Sequence, residues 1–150
     1  MPSPDLLDRF AAIVGTGNSL TASADVEPYL TEGRGLYRGA TPLVLRPGST
    51  EEVASILKLA SETKTPIVPV SGGTGLVGGG VPRAEGHDIV LSLARLNRIR
   101  DVDPVANVIA VDGGVILADV HNAAAEVDRL FPLSLGSEGS CRVAGNLSTN

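Results

Sequence analysis

The segment richest in chemistry is Pro69-Val70-Ser71-Gly72-Gly73-Thr74-Gly75-Leu76-Val77-Gly78-Gly79-Gly80-Val81-Pro82. Six glycines fall within the nine residues from Gly72 to Gly80. Glycine this dense works against any regular element, because it loses more backbone freedom on folding than any other residue. Its use is close approach: with no side chains in the way, main-chain N–H groups converge on an anion such as a phosphate. The Ser71 and Thr74 hydroxyls add donors. Leu76, Val77, Val81 and Pro82 are poor linker residues, so a flexible spacer does not fit.

Two familiar phosphate loops fail on context. Gly73-Thr74-Gly75-Leu76-Val77-Gly78 matches G-x-G-x-x-G after a β-branched run. That fingerprint needs a helix to start at the loop, with its N-terminus facing the pyrophosphate. Gly79, Gly80, Val81, Pro82 and Gly86 follow here and cannot form one. The Walker A pattern needs Gly-Lys-Ser/Thr, which is missing. What remains is a cradle of N–H groups without a helix.

Other reactive side chains are few. Cys141 is the only cysteine, so no disulfide framework or cysteine zinc site forms within these residues. Without an evident base or partner thiol it reads as a small packing residue. His87 sits in the polar stretch Ala84–Asp88, and His121 falls inside an expected helix; the two are too far apart in sequence to suggest a metal site. A formal charge of −5 with 3% aromatic residues argues against a nucleic-acid surface. No apolar run approaches a membrane span, and Asp5 and Asp8 interrupt anything like a secretory leader. These features lead us to expect a cytoplasmic protein.

The elements that position the loop follow from periodicity. Ser3-Pro4 caps a helix whose stripe is Leu6, Leu7, Phe10, Ile13 and Val14, ended by Gly15 and Gly17. Residues 18–41 read as irregular, with a cluster of Tyr29, Arg34, Tyr37 and Arg38. A strand at 43–46 turns at Pro47-Gly48 into Ser49-Thr50-Glu51-Glu52, a capping-box pattern. The helix to about Lys64 and the strand 66–70 complete a strand–helix–strand unit, its connection long enough for a right-handed parallel crossover. Strands at 88–93, 99–102 and 108–111 and a helix over 115–129 come next. The segment 131–150 is again glycine and small polar residues. With 43% hydrophobic content, 150 residues can bury a core built from Val, Ile, Leu and Ala.

The run from Leu45-Arg46-Pro47-Gly48-Ser49-Thr50-Glu51-Glu52-Val53 through Gly72-Gly73-Thr74-Gly75-Leu76-Val77-Gly78-Gly79 resembles the FAD-linked oxidases of the vanillyl-alcohol oxidase and p-cresol methylhydroxylase type. A second motif, from Phe131-Pro132-Leu133 to Asn146-Leu147-Ser148-Thr149-Asn150, resembles the branch holding D-2-hydroxyglutarate dehydrogenase, D-lactate dehydrogenase and glycolate oxidase. The resemblance implies an α+β fold: the first subdomain of the p-cresol methylhydroxylase-type FAD-binding domain, of strand–helix–strand units, and the start of the second. It divides the chain into an N-terminal helical extension, 1–36, and an incomplete FAD-binding domain, 37–150.

By position, Ser71, Gly72, Gly73, Thr74, Gly75 and Leu76 are expected to wrap the FAD diphosphate. Pro132, Gly136, Ser140, Cys141, Gly145, Asn146 and Thr149 are expected along the flavin and ribityl side. Ser71 and Ala144 stand where the family often has glycine. Neither histidine lies in these motifs, so FAD is expected to be non-covalent.

The implied reaction takes a hydride and a proton from a D-2-hydroxy acid, the hydride going to the flavin, and leaves a 2-oxo acid. Electrons pass to a separate acceptor, a flavoprotein, quinone or cytochrome. A sugar-alcohol oxidase, a muramate-precursor reductase and a non-catalytic nucleotide-binding module are the alternatives. Catalytic residues are expected after residue 150, so none is assigned. The 150 residues alone are expected to hold FAD weakly and to self-associate through open strand edges.

Overall fold

The computed structural model describes residues 1–149. Helix α1 (Pro4–Val14) begins as its sequence predicts: the Leu6 N–H donates to Ser3 Oγ at 3.3 Å, and Pro4 sits where its missing donor is not needed. Gly15 ends it at φ +79°. The stretch expected to be irregular contains a two-residue strand, β1 (Ser19–Leu20), and a one-turn helix, α2 (Ser23–Val26). Two or four residues carry too little periodicity to be read from sequence.

Strand β2 (Val44–Leu45) leads into helix α3 (Thr50–Thr63). Ser49 caps it, accepting from the Glu52 N–H at 3.2 Å. The reciprocal half of the capping box differs from expectation. Glu52 accepts from the Gly48 N–H at 2.7 Å, one residue before the cap, so it closes the Pro47-Gly48 turn as well. Strand β3 (Ile67–Val70) and strand β4 (Ile89–Ser92) follow, the latter buried along its whole length.

The four strands form one sheet in the order β1-β2-β4-β3. Strand β4 runs parallel to both β2 and β3, with Val90 opposite Val44 on one side and Val68 on the other. The strand–helix–strand unit is therefore real, with β4 inserted between its two strands. A strand flanked on both edges and covered on both faces reads as unbroken apolar sequence, which is what Ile89-Val90-Leu91 shows. Phe10 and Val14 of α1 pack with Ile56, Leu59 and Ala60 of α3 against Leu43, Leu45, Ile89 and Leu91. On the other face Val26, Val44 and Val90 meet Leu20, Tyr29, Leu30 and Val70.

Strands β5 (Ile99–Asp103) and β6 (Val108–Val111) pair antiparallel as a separate hairpin. An irregularity between Ile99 and Asp101 shifts the register. Asp103 Oδ1 accepts the N–H groups of Val105 and Ala106 at 2.8 and 2.9 Å and shapes the turn. Helix α4 (Leu117–Ala125) is shorter than the predicted 115–129. The chain leaves it through Asp128 at φ +56°, while the Arg129 N–H returns to Ala124 O at 2.9 Å. A last helix, α5 (Val143–Thr149), occupies the segment that reads only as glycine and small polar residues.

Two buried carboxylates tie loops to this frame. Asp88 accepts from Arg83 Nη2 at 2.6 Å and from the Arg83 N–H at 2.7 Å, and these bonds hold its carboxyl below the usual aspartate range against the opposing effect of burial. For Asp112, burial pushes upward, and donors from Arg98 and Arg100 more than offset it, so the net direction is again down. A carboxyl lowered in the folded state stabilises above its unfolded pKa, roughly 3.9, and that contribution fades as pH falls further. We expect the thermal midpoint of the full-length protein to be flat near neutrality and to drop as pH falls below about 4. In Asp112→Asn that acid limb should be shallower, as read by circular dichroism melts across pH. Phe10 is fully buried, and Phe10→Ala should lower unfolding stability by about 3–5 kcal/mol in urea titrations.

Candidate cofactor site

Strand β3 delivers the chain into the glycine loop, and the Leu93 N–H pins its last carbonyl, Val70 O, at 2.9 Å. Beyond the loop, the Val81 N–H turns back to Gly78 O at 3.0 Å, and the Ala40 N–H holds Arg83 O at 3.1 Å. Both ends are fixed. Between them, from Gly72 to Gly80, no main-chain N–H donates to another protein group among the described residues. A run of free donors at this length is a binding surface for a group with several acceptor oxygens.

The loop conformation depends on glycine at particular points. Gly73 has φ +68°, and no protein atom lies within 4 Å of where its Cβ would stand. Gly75 likewise faces open space. Gly72 is the opposite case: a Cβ there would lie 2.6 Å from Ser140 O and 2.8 Å from Cys141 Cα. The two motifs, some seventy residues apart in sequence, therefore meet backbone to backbone.

A hydrogen bond locks this junction. The Gly145 N–H, in α5, donates to Ser71 Oγ at 3.2 Å. Serine at this position supplies the acceptor that a glycine could not. The Ala144 N–H reaches Gly113 O at 2.8 Å, and the Val143 N–H reaches Val115 O at 3.0 Å, so the first turn of α5 is fastened to the β6–α4 connection as well. Asn146, on the next residue of that turn, has a buried Nδ2 with no hydrogen-bond partner among the described residues. An amide nitrogen buried without an acceptor is destabilising unless a ligand or water supplies one.

The expected site residues divide into two groups. Ser71 and Gly72 come together with Ser140, Cys141 and Gly145; Gly73, Thr74, Gly75 and Leu76 continue from them along the exposed loop. Cys141 is buried, its N–H donating to Ser137 O at 2.7 Å and its carbonyl accepting from Leu117 at 3.1 Å, consistent with a packing role. Thr149 returns its hydroxyl to Gly145 O at 3.0 Å. Pro132 and Gly136 have no hydrogen bond to the loop among the described residues. Their stretch is tied to α4 through His121, whose Nε2 lies 2.7 Å from Leu133 O. His121 is thus a partly packed residue that ties this stretch to α4.

Sequence reading overlooked two contributors. Arg34 Nη2 donates to Leu76 O, and the Tyr37 ring lies against Gly78. Both belonged to the polar-aromatic cluster noted in 18–41, yet nothing in their spacing ties them to a loop forty residues away.

The chain resembles known proteins in sequence and in fold. The FAD binding domain family matches residues 41–150. A Schizosaccharomyces pombe protein, provisionally named a mitochondrial D-lactate dehydrogenase, is 41% identical over 147 residues, covering 93% of this chain and 28% of that protein. The D-2-hydroxyglutarate dehydrogenase of Xanthomonas citri pv. viticola is 40% identical over 133 residues, covering 87% of this chain and 27% of the relative. The chain thus spans under a third of the length of these relatives. Among solved structures, p-cresol methylhydroxylase with substrate bound superposes with a TM-score of 0.74 at 25% identity, over 91% of this chain and 27% of that one. Alkyldihydroxyacetonephosphate synthase reaches a TM-score of 0.87 at 18% identity, over 99% and 29%, a likeness of fold. A loop of free N–H groups, joined to a second small-residue motif on this fold, belongs with these matches: the chain is a member of the FAD-binding domain family, of the p-cresol methylhydroxylase type.

Proposed function

We propose that this chain is the cofactor-holding part of a flavin-dependent dehydrogenase that oxidises a D-2-hydroxy acid to the 2-oxo acid. The observation that carries the reading is the junction of the two motifs. The loop offers unpaired N–H groups from Gly72 to Gly80, and Asn146, whose buried Nδ2 has no partner among the described residues, directly follows the Gly145 that bonds Ser71 at the start of that loop. Both features ask for acceptor oxygens, and FAD offers them on its diphosphate, ribityl chain and ring carbonyls. Ser71 to Leu76 would hold the diphosphate, with the Thr74 hydroxyl as a further donor. Ser140, Cys141, Gly145, Asn146 and Thr149, together with Pro132 and Gly136, would lie along the ribityl and ring side.

When bound, FAD supplies two-electron redox chemistry; the protein supplies the binding and orientation. Non-covalent attachment is supported by the histidines. His121 is engaged with Leu133 O, and His87 is in the exposed turn leading to β4. The substrate class is carried by the two relatives above, which are named for D-lactate and D-2-hydroxyglutarate. Electrons would leave through a separate acceptor: a flavoprotein, quinone or cytochrome. A cytoplasmic setting stays part of the proposal on the single buried cysteine, although the Schizosaccharomyces pombe relative is named mitochondrial.

The full-length protein, purified gently, should show flavin absorbance, and acid precipitation should release all of it as free FAD into the supernatant. With a dye acceptor it should oxidise D-lactate or D-2-hydroxyglutarate and leave the L-enantiomers untouched. Absence of flavin, with no uptake of added FAD, would overturn the reading. A glycine pair separates cofactor space from protein space. Gly75→Ala places its methyl where no protein atom stands, so the thermal midpoint should hold while FAD affinity falls about tenfold. Gly72→Ala drives its methyl into the Ser140–Arg142 backbone and should lower both.

A further inference from the structure

The glycine loop has a second neighbour, and it lies outside the residues that the family matches. Residues 31–38 form a small hairpin closed by a Thr31–Arg38 bridge. It is built around one buried carboxylate. Glu32 Oε2 accepts the Arg34 N–H at 2.7 Å and Oε1 accepts the Leu36 N–H at 2.6 Å. The Gly35 N–H donates to Glu32 O at 2.9 Å, and Gly35 takes φ +71° at the tip. At the base, Arg38 makes a two-pronged pair with Glu27, at 2.6 and 2.9 Å, and also holds Thr31 Oγ1. A hairpin with so many internal bonds for its length is a rigid object.

It is aimed at the loop. Arg34, oriented by the Glu32 carboxylate 3.7 Å from its Nε, donates through Nη2 to Leu76 O. The Tyr37 ring covers Gly78, so close that a Cβ there would lie 2.9 Å from its Cγ. Just past the base, Gly39 packs against Pro82 O, and the Gly39 N–H returns to Leu30 O at 2.8 Å. One flank of the loop is thereby held from Leu76 to Pro82, opposite in sequence to the Ser71–Gly145 junction at its start.

We propose that the 31–38 hairpin is a clamp that pre-organises the glycine loop for FAD, with Arg34 and Tyr37 as positioning residues and Glu32 as their anchor. The proposal rests on the reading of 71–80 as the FAD diphosphate loop. The physical need is plain. A free glycine-rich loop samples many conformations, and affinity falls in proportion to the fraction of time it spends in the competent one. Arg34 acts by fixing the Leu76 carbonyl away from the cofactor, so that neighbouring N–H groups point the other way. Tyr37 acts by closing off the conformations that swing Gly78 outward. Neither needs to touch FAD.

The test measures FAD affinity in full-length protein stripped of flavin, by quenching of FAD fluorescence on rebinding. Arg34 and Tyr37 are both about half exposed, so their alanine variants keep the fold, and apoprotein melts should match wild type. Arg34→Ala and Tyr37→Ala should each raise the Kd about tenfold. Tyr37→Phe keeps the ring on Gly78 and should restore wild-type affinity. Leu36→Ser, at the same tip with its side chain in solvent, should change nothing. Alanine variants within about twofold of wild type would overturn the clamp, as would a Tyr37→Phe as weak as Tyr37→Ala, or an equal loss in Leu36→Ser. A wild type that takes up no FAD removes the cofactor reading itself and the clamp with it; a wild type that binds while all variants bind equally removes the clamp alone.

Discussion

The arrangement depends on a missing methyl group. Gly72 lets the backbone at Ser140–Arg142 approach to a distance no other residue would permit. That contact converts two remote segments into one surface. Ser71, directly before it, then accepts from Gly145 and fixes how α5 meets the loop. Cys141 lies buried at this contact, and Asn146 follows Gly145 directly in the same turn of α5. The fold spends its strongest element, the parallel core of β2, β4 and β3, on delivering Ser71 to that point.

The sheet explains why the loop sits where it does. Strands β3 and β4 run parallel, so their carboxyl ends lie at the same edge. Open parallel sheets bind ligands outside the carboxyl ends of their strands, where the loops diverge. The glycine loop leaves β3 at this edge. The stretch Leu93–Leu96 leaves β4 beside it and is crossed by Gly114, whose N–H bonds Leu96 O at 2.7 Å. Because Gly113 and Gly114 carry no side chains, the hairpin domain of β5 and β6 can pack on this edge and pass the chain on to α4. Asp112, held by Arg98 and Arg100, keeps that crossing in register.

What could be read from sequence was whatever is written locally. Ser3-Pro4 and Ser49-x-x-Glu52 name helix starts through groups a few residues apart. The apolar run Ile89–Leu91 names a central strand through uninterrupted burial. The glycine loop was legible as a cradle through composition alone, and the family resemblance supplied the cofactor. What escaped depends on distance or on brevity. A strand of two residues such as β1 has no period to detect. Helix α5 is disguised by Val143, Gly145, Asn146 and Thr149, each a poor helix former, and it is held by bonds to Gly113 and Val115 rather than by propensity. The Glu52 carboxylate moved by one residue, from the cap to Gly48, because the Pro47-Gly48 turn presents a nearer donor. The meeting of Arg34 with Leu76 is a fact of tertiary structure with no local signature.

A loop that holds an anion without a helix faces a difficulty that helix-based cradles avoid. At a helix N-terminus the N–H groups are aligned by the ladder behind them, and the dipole adds to their pull. Here Gly79, Gly80 and Pro82 forbid that ladder, so alignment has to come from outside the loop. The structure provides it at separate points: β3 and Leu93 at the entry, the Ser140–Gly145 backbone beside Gly72, and the hairpin of 31–38 beside Leu76 and Gly78. Glycine is needed so that the backbone can bend to the ligand, and its freedom must then be restrained by neighbours that carry side chains. The tight packing around Gly72 and Gly78 and the open space at Gly73 and Gly75 express that division along one short stretch of chain.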